Sequence, residues 1–527
     1  MAEEVDHRGE ELPALSKRSS KVDLGRIQKF HKPDFTDSKL QHPFIFKVFK
    51  TILTYGRNHT LGSLEYRGVS NIPSADQGVL AVSWHTAGLI DPAVIMTHID
   101  RSYAFAGRQD ILTGPIIGWW GRRLGVQPLL RQAERMRGHA DDDTAKRVNS
   151  ASLLTVASKL AHGQASILMP EGHSHSEWHI IRLRTGPIRS ALNAAAIASE
   201  MGNERAVILP VGITFRDPHS WGKDTLVEYL EPLELPILPD RDHGKNLLAG
   251  DWIEPDYETT LNVRDQLSGR LGIAVPDAPD KETWDAWLLL SNIESRGKNM
   301  SWGDEVVGAR RIRDRLRGHV NTTFHGPEGS GEEDPASNSD MTQQARTVMH
   351  EISKHGLDQR AVHKKSLSLA ILMSIIISPI LLSTPITMLG SLLGNGPHCF
   401  VGYLLSKFNG EAPDKKTSFH LVSTMLGTIY VRPFLHLVVL FATVKTGVAP
   451  DLFEFASTSY TLANYTLLYI LLWLVTDISH FLLVRIQIPL ARNLSRLCRT
   501  AYTQRKKSWQ PLEKRIIEIR FLLDALK

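Results

Sequence analysis

The sequence predicts an α/β domain, then a helical region, then a C-terminal α-helical transmembrane region. Three observations carry that architecture. Short apolar runs at 79–83, 166–169 and 206–211 alternate with helical stretches at 145–162 and 188–200, the pattern of buried strands joined by crossover helices. The stretch 241–360 is polar, and beyond residue 366 the composition turns strongly apolar. Averages of 42% hydrophobic and 22% charged over 527 residues conceal that change.

Residues 1–42 form a polar N-terminal tail in which Glu3, Glu4, Asp6, Lys17, Arg18 and Lys21 leave no apolar stretch of signal-peptide length. Residues 43–63 mix Phe44, Phe46, Val48, Phe49, Ile52 and Leu53 with Lys47, Lys50 and Arg57, which suits a helix lying in a membrane interface and equally a helix packed on the core. The α/β domain is expected over 64–240. A polar, mostly helical region follows at 241–365, and within it 325–340 (HGPEGSGEEDPASNSD) has the composition of a disordered linker.

The membrane region spans 366–487. Residues 462–484 are long and apolar enough to cross a hydrocarbon core of about 30 Å. Residues 419–444 also suffice in length, although Arg432 and Pro433 interrupt them, and Pro379 and Pro385 make 366–393 either a kinked span or a re-entrant hairpin. Two crossings and a hairpin are expected. A basic tail, 488–527, completes the chain. Lys364, Lys365, Lys407, Lys415, Lys416, Arg492, Arg496, Arg499, Arg505, Lys506 and Lys507 flank these segments, whereas 446–461 carries only Asp451 and Glu454, so the positive-inside rule puts the α/β domain, the loop 395–418 and the tail in the cytosol.

A net charge of +5 is too modest to select among anionic partners. Zinc-finger spacing and aromatic RNA-binding signatures are absent, which removes nucleic acid from the expected partners. The two cysteines, Cys399 and Cys498, lie far from any histidine cluster, so neither a disulfide framework nor a metal site is expected.

The chemistry-bearing residues begin with VLAVSWHTAGLIDPAVI, residues 79–95, where an apolar strand ends at Trp84-His85 and a loop leads to Asp91-Pro92. On a continuous helix, six residues are about 600° of rotation, so His85 and Asp91 pair only if the chain turns between them, and Gly88 can supply the turn. Asp91 before Pro92 also reads as a helix N-cap followed by its first residue. With 22 histidines, about one such spacing arises by chance. Met169-Pro170-Glu171-Gly172-His173-Ser174-His175 places polar side chains just after a strand, with Arg182 and Arg184 following. The run 114–131 mixes glycine, tryptophan and arginine and ends at Arg131, and 206–213 is an apolar strand containing Pro210.

In this order and spacing the four blocks resemble the glycerolipid acyltransferase family, whose signature is His-x4-Asp, a Gly-rich block ending in arginine, Phe-Pro-Glu-Gly, and an apolar block with proline. The five-residue gap between His85 and Asp91, Glu-Gly-x-Ser-His at 171–175 and the segment Leu183 to Gly186 are most similar to the branch of fungal glycerol-3-phosphate and dihydroxyacetone-phosphate acyltransferases, which also carries a C-terminal membrane region. Departures are His85-Thr86-Ala87-Gly88-Leu89 where that branch has His-Ala-Asn-Gln-Phe, and Met169 in place of phenylalanine.

The resemblance implies direct transfer of a fatty acyl group from acyl-CoA, without cofactor or metal, to the sn-1 hydroxyl of glycerol 3-phosphate or dihydroxyacetone phosphate, at the start of phospholipid and triacylglycerol synthesis. His85 would take the hydroxyl proton and Asp91 would hold the imidazolium. Arg131 and Arg184 would bind the acceptor phosphate, and Glu171 and Gly172 would shape the pocket. It further implies an integral membrane protein in a phospholipid bilayer, of the endoplasmic reticulum in a eukaryote or the inner membrane in a bacterium. Acylation of lysophosphatidate is the alternative within the family. A lipid hydrolase is disfavoured because no Gly-x-Ser-x-Gly elbow occurs, and the non-enzyme alternative is a membrane scaffold with an inactive acyltransferase domain.

Overall fold

The computed structural model describes residues 24–27, 33–112, 115–130, 141–318, 323–327, 329–408, 413–446 and 462–526. Most of the polar N-terminal tail, the loop with Asp451 and Glu454, and Arg131 lie outside them. Seven strands are described: β1 (Leu61–Arg67), β2 (Val79–Ser83), β3 (Ala106–Arg108), β4 (Gln127–Leu129), β5 (Ala165–Ile167), β6 (Val207–Phe215) and β7 (Lys223–Tyr229).

Five strands form one sheet in the order β1-β7-β6-β2-β5. β1 runs parallel to β7, β6 and β5 run parallel to β2, and β6 and β7 are antiparallel. β3 and β4 make a separate parallel pair. Every residue of β2 and β6 is buried, as expected for central strands covered on both faces. Alternate residues sort to the two faces: Leu80, Val82 and Ile208 pack under helices Asp142–Leu160 and Gly186–Met201, while Val79, Ala81, Val207 and Leu209 pack toward helix Ile90–Met96.

Helix Tyr257–Ala274 corrects the expected domain boundary at 240. Its Val263, Leu267 and Leu271 are buried in the same core as the sheet, because their four-residue spacing makes one apolar stripe. The polar region proper is a helical bundle of Lys281–Glu294, Trp302–Leu316 and Asp340–Lys354 around Trp284, Trp287 and Trp302. Residues 325–340 are not a free linker. Asp334 is 3% exposed and receives hydrogen bonds from Arg317 Nε (2.9 Å), Arg317 Nη2 (2.7 Å) and Ser337 Oγ (2.6 Å), so one buried acidic side chain pins a segment whose composition alone reads as unfoldable.

The basic tail is also folded. Helix Gln510–Ala525 presents Leu512, Ile516, Ile519 and Leu523, spaced by four, three and four residues, and buries them against the helical bundle.

Helix Pro43–Thr60 packs on two partners. It contacts helix Ile90–Met96 and also Lys416–Leu426, where Gly56 sits against Leu421 and Met425 so closely that a Cβ would collide. It is therefore wedged between the α/β domain and the C-terminal helices, with Phe44 left exposed.

Three C-terminal helices, Leu367–Leu392, Lys416–Lys445 and Ala463–Thr503, are long and apolar enough to cross a membrane. The first is a helix through both prolines rather than a hairpin at them; Pro385 falls at the start of the second half, Thr384–Leu392, where a missing N–H costs little. Its first half lies along Ile488–Thr503 and its second half along Leu462–Phe481, the order of an antiparallel pair. Between the first two long helices, a helix at Gly396–Phe408 replaces the expected loop 395–418 and packs on Lys416–Leu426. Arg432 is 1% exposed and bonds Asp477 Oδ1 (2.9 Å) and Trp473 O (2.8 Å), and Tyr55 Oη also donates to Asp477 (2.8 Å).

Candidate active site

β2 delivers His85 to the C-terminal end of the sheet, and Gly88, at φ 54°, turns the chain back. That positive φ favours glycine, and a Cβ there would strike Ser418 Oγ. The turn brings His85 Nδ1 to 2.8 Å from Asp91 Oδ2. The helix begins at Ile90, so Asp91 is not its N-cap; its carboxylate reaches backward and accepts from Ala87 N–H (2.9 Å) instead of bonding forward. With Nδ1 held by the carboxylate, the proton-accepting position falls on Nε2, which makes no hydrogen bond among the described residues. The His85 side chain is 17% exposed and Asp91 is fully buried.

The second block locks the first. Glu171, 0% exposed, accepts from His85 N–H at Oε2 (2.6 Å) and from Ile181 N–H at Oε1 (2.9 Å). His175 N–H donates to His85 O (2.9 Å), so both backbone polar groups of His85 are held. His175 Nε2 lies 3.0 Å from Glu171 Oε1, and although burial opposes its charged form, the Glu171 carboxylate raises its pKa. Gly172 turns the chain at φ 80°, and the Arg184 stem passes over it.

The structure thus brings together His85, Asp91, Glu171, Gly172 and Arg184. Arg131 lies outside the described residues, just beyond β4. Both oxygens of Glu171 are engaged within the protein, on the backbone of His85 and of Ile181. His173, quoted with the Met169–His175 block but given no role there, joins the group; burial, reinforced by the positive fields of His175, Arg184 and His85 and opposed by Glu171, pushes it down to about 4, so it is neutral at physiological pH. Its place two residues after Glu171 was the available signal. Nothing local marks a third set, Asp414, Thr417 and Ser418, at the start of a long apolar helix. Ser174 Oγ donates to Asp414, Leu89 N–H donates to Ser418 Oγ (3.0 Å), and Thr417 Oγ1 donates to Ala87 O (3.5 Å). Among the described residues no cluster of three or more His, Cys, Asp or Glu is placed to hold a metal ion.

Comparison with known proteins bears on the same region. Residues 63–214 match a family model described as Acyltransferase. The chloroplastic 1-acyl-sn-glycerol-3-phosphate acyltransferase BAT2 of Brassica napus is 32% identical over 94 residues, covering 18% of this chain and 26% of that protein. The crystal structure of the 1-acyl-sn-glycerophosphate acyltransferase PlsC from Thermotoga maritima aligns over 42% of this chain and 79% of its own, at 16% identity and a TM-score of 0.27. Residues 63–214, with the mixed sheet and the His85 site, are an acyltransferase domain, joined to a largely helical remainder that ends in three helices able to cross a membrane.

Proposed function

We propose that the protein transfers a fatty acyl group from acyl-CoA to the hydroxyl of a 1-acylglycerol 3-phosphate at a bilayer surface. The observation that carries the reading is the His85–Asp91 pair, 2.8 Å apart at the end of β2 with Nε2 unengaged. His85 removes the acceptor proton as the oxygen attacks the thioester carbonyl, Asp91 steadies the imidazolium, and the thiolate of CoA leaves. Arg184, and Arg131 beyond the described residues, are the proposed phosphate holders. The acceptor is supported by the activity for which the Brassica napus relative is named. Placement of Asp414–Ser418 against the His85 loop also supports a lipid-borne acceptor, because a helix suited to a membrane then begins at the site.

A second reading, acylation of glycerol 3-phosphate or dihydroxyacetone phosphate at the sn-1 hydroxyl, is favoured by Glu-Gly-x-Ser-His at 171–175. One assay separates them. Purified full-length protein is given acyl-CoA and, in turn, lysophosphatidate, glycerol 3-phosphate and dihydroxyacetone phosphate. Phosphatidate formed at a kcat/KM at least ten-fold above either soluble acceptor is expected; the reverse ranking assigns the second reading. Arg131→Ala should raise the KM of the phosphate acceptor about ten-fold or more, since a charge-assisted hydrogen bond contributes about 1.5–3 kcal/mol, and leave that of acyl-CoA unchanged.

A further inference from the structure

We infer that Asp414 and Ser418, at the head of the long apolar helix Lys416–Lys445, are positioning residues for acyl transfer: they hold the two loops that carry His85 and its clamp, so the site is set only when that helix is seated on the α/β domain. The inference rests on His85 being the base.

Leu89 N–H stands ahead of helix Ile90–Met96, where the first donors of a helix have no acceptor inside it. Ser418 Oγ accepts from it at 3.0 Å, across 329 residues of chain. One residue back, Gly88 comes so near that a Cβ would strike the same hydroxyl, so this bond and the turn at φ 54° are made at one point. Thr417 Oγ1 adds a weaker hold on Ala87 O (3.5 Å). Ala87, Gly88 and Leu89 are the turn that returns the chain to Asp91, and Ala87 N–H joins His85 Nδ1 on Asp91 Oδ2.

The loop after β5 is held from the same place. Ser174 Oγ donates to Asp414 Oδ2, across 240 residues, and the next residue, His175, donates its N–H to His85 O. Asp414 is 2% exposed. A buried carboxylate costs desolvation and adds nothing to the insertion of an apolar helix, so its contribution lies in the hydroxyl that it fixes.

Both loops therefore converge on residues 414–418, one short segment at the start of a helix long and apolar enough to cross a membrane. Displacing a reacting group by about 1 Å costs on the order of 10²-fold in rate. Asp414 and Ser418 bind the loops and not the acceptor phosphate, so slackening them acts on turnover rather than on substrate affinity.

The test uses full-length protein in phosphatidylcholine vesicles with acyl-CoA and whichever of lysophosphatidate, glycerol 3-phosphate and dihydroxyacetone phosphate the wild type turns over fastest. Ser418→Ala should lower kcat about ten-fold, with the KM of both substrates within about two-fold of wild type, and Ser418→Thr, which keeps the hydroxyl, should recover most of the loss. Ser174→Ala and Asp414→Ala should each lower kcat, and the double variant should lose no more than the worse single one, because both remove one bond. Turnover per folded molecule that stays at wild type, losses that fall on KM, losses that Ser418→Thr does not relieve, or additive losses at Ser174 and Asp414 would each overturn the inference, as would failure of both Ser418→Ala and Asp414→Ala to fold. Retained activity in His85→Ala, run in parallel, would instead overturn the base itself.

Discussion

His85 and Asp91 lie 2.8 Å apart at the end of β2, and His325 and Asp334 lie 2.9 Å apart in the helical bundle. The two histidines are 17% and 18% exposed, and the two aspartates are 0% and 1% exposed, so neither distance nor burial distinguishes the pairs. Their surroundings do. Asp334 is saturated: Arg317 forks onto both oxygens, Ser337 and Ala336 N–H add two bonds, and His325 is one donor among five. Asp91 has one engaged oxygen and, among the described residues, one without a hydrogen-bond partner. The histidines also use opposite nitrogens, Nδ1 in His85 and Nε2 in His325, so only His85 directs Nε2 away from its carboxylate. A saturated carboxylate holds a fold in place, whereas an under-coordinated one can still respond when its histidine gains a proton.

Five substitutions press on that contrast. The largest effect is expected from His85→Ala, which should reduce acyl transfer by about 10²–10⁴-fold in a steady-state assay while the protein still folds and partitions into membranes. His325→Ala should leave turnover per folded molecule near wild type; comparable losses in both would erase the distinction. Asp334→Asn should cost about 1–3 kcal/mol of stability, because it takes one of two carboxylate partners from a buried Arg317, which keeps Asp277 (2.8 Å), with the transition followed by urea or thermal unfolding. A third, smaller effect is expected for Glu171→Gln: about 10- to 100-fold in kcat, with little change in KM, since the weakened clamp on His85 N–H matters most as the proton moves. His325→Gln should be mildest, about 1 kcal/mol, one neutral bond being exchanged for another.

Acid adds a further check on the structural pair. Burial raises the Asp334 pKa, but the hydrogen bonds from His325 and Arg317 outweigh it and hold the carboxyl well below the usual carboxylate range. A depressed native pKa contributes stability that is fully present above the unfolded value of about 3.9 and is lost as pH falls through the native one. Unfolding midpoints of wild type and Asp334→Asn should therefore differ at pH 7 and converge below about pH 4. A difference that stays undiminished between pH 5 and pH 2 would remove the carboxylate charge from the account.

What the sequence disclosed follows from range. β2, β5 and β6 announce themselves because each is a run of buried residues, and the two motifs at their ends are contiguous with those runs. Gly88 and Gly172 are likewise local, each demanded by a turn. Glu171 was legible as a member of the site but not as a clamp, since its partner is a backbone N–H 86 residues away. Thr417 and Ser418 were invisible for the same reason: hydroxyls opening an apolar helix have no local signature. The stretch 325–340 misled because composition counts polar residues without knowing that Arg317 waits for Asp334. Ile516 and Ile519 misled in the other direction, their amphipathic stripe being present but overshadowed by the basic residues before it.

The return of helix Gln510–Ala525 to the bundle that holds Trp284 and Val348 has a consequence of parity. Segments preceding and following the apolar helices share one core, and Gln504 Nε2 further ties the departing chain to Ala361 O (2.7 Å). In a bilayer, the chain must therefore come back to the leaflet it left, and three single passes, an odd number, cannot do that. The start of Lys416–Lys445 lies on the same flank, against Ala87 and Leu89, so the stretch from Leu367 to Lys416 must itself go out and return. Helix Gly396–Phe408, 13 residues and about 20 Å long, falls short of a hydrocarbon core of about 30 Å. The path to be expected in a bilayer then has Leu367–Leu392 with Gly396–Phe408 entering and leaving by one face while the last two long helices cross, so a cysteine at Lys445 should react with a label added at the far face and one at Lys364 should not.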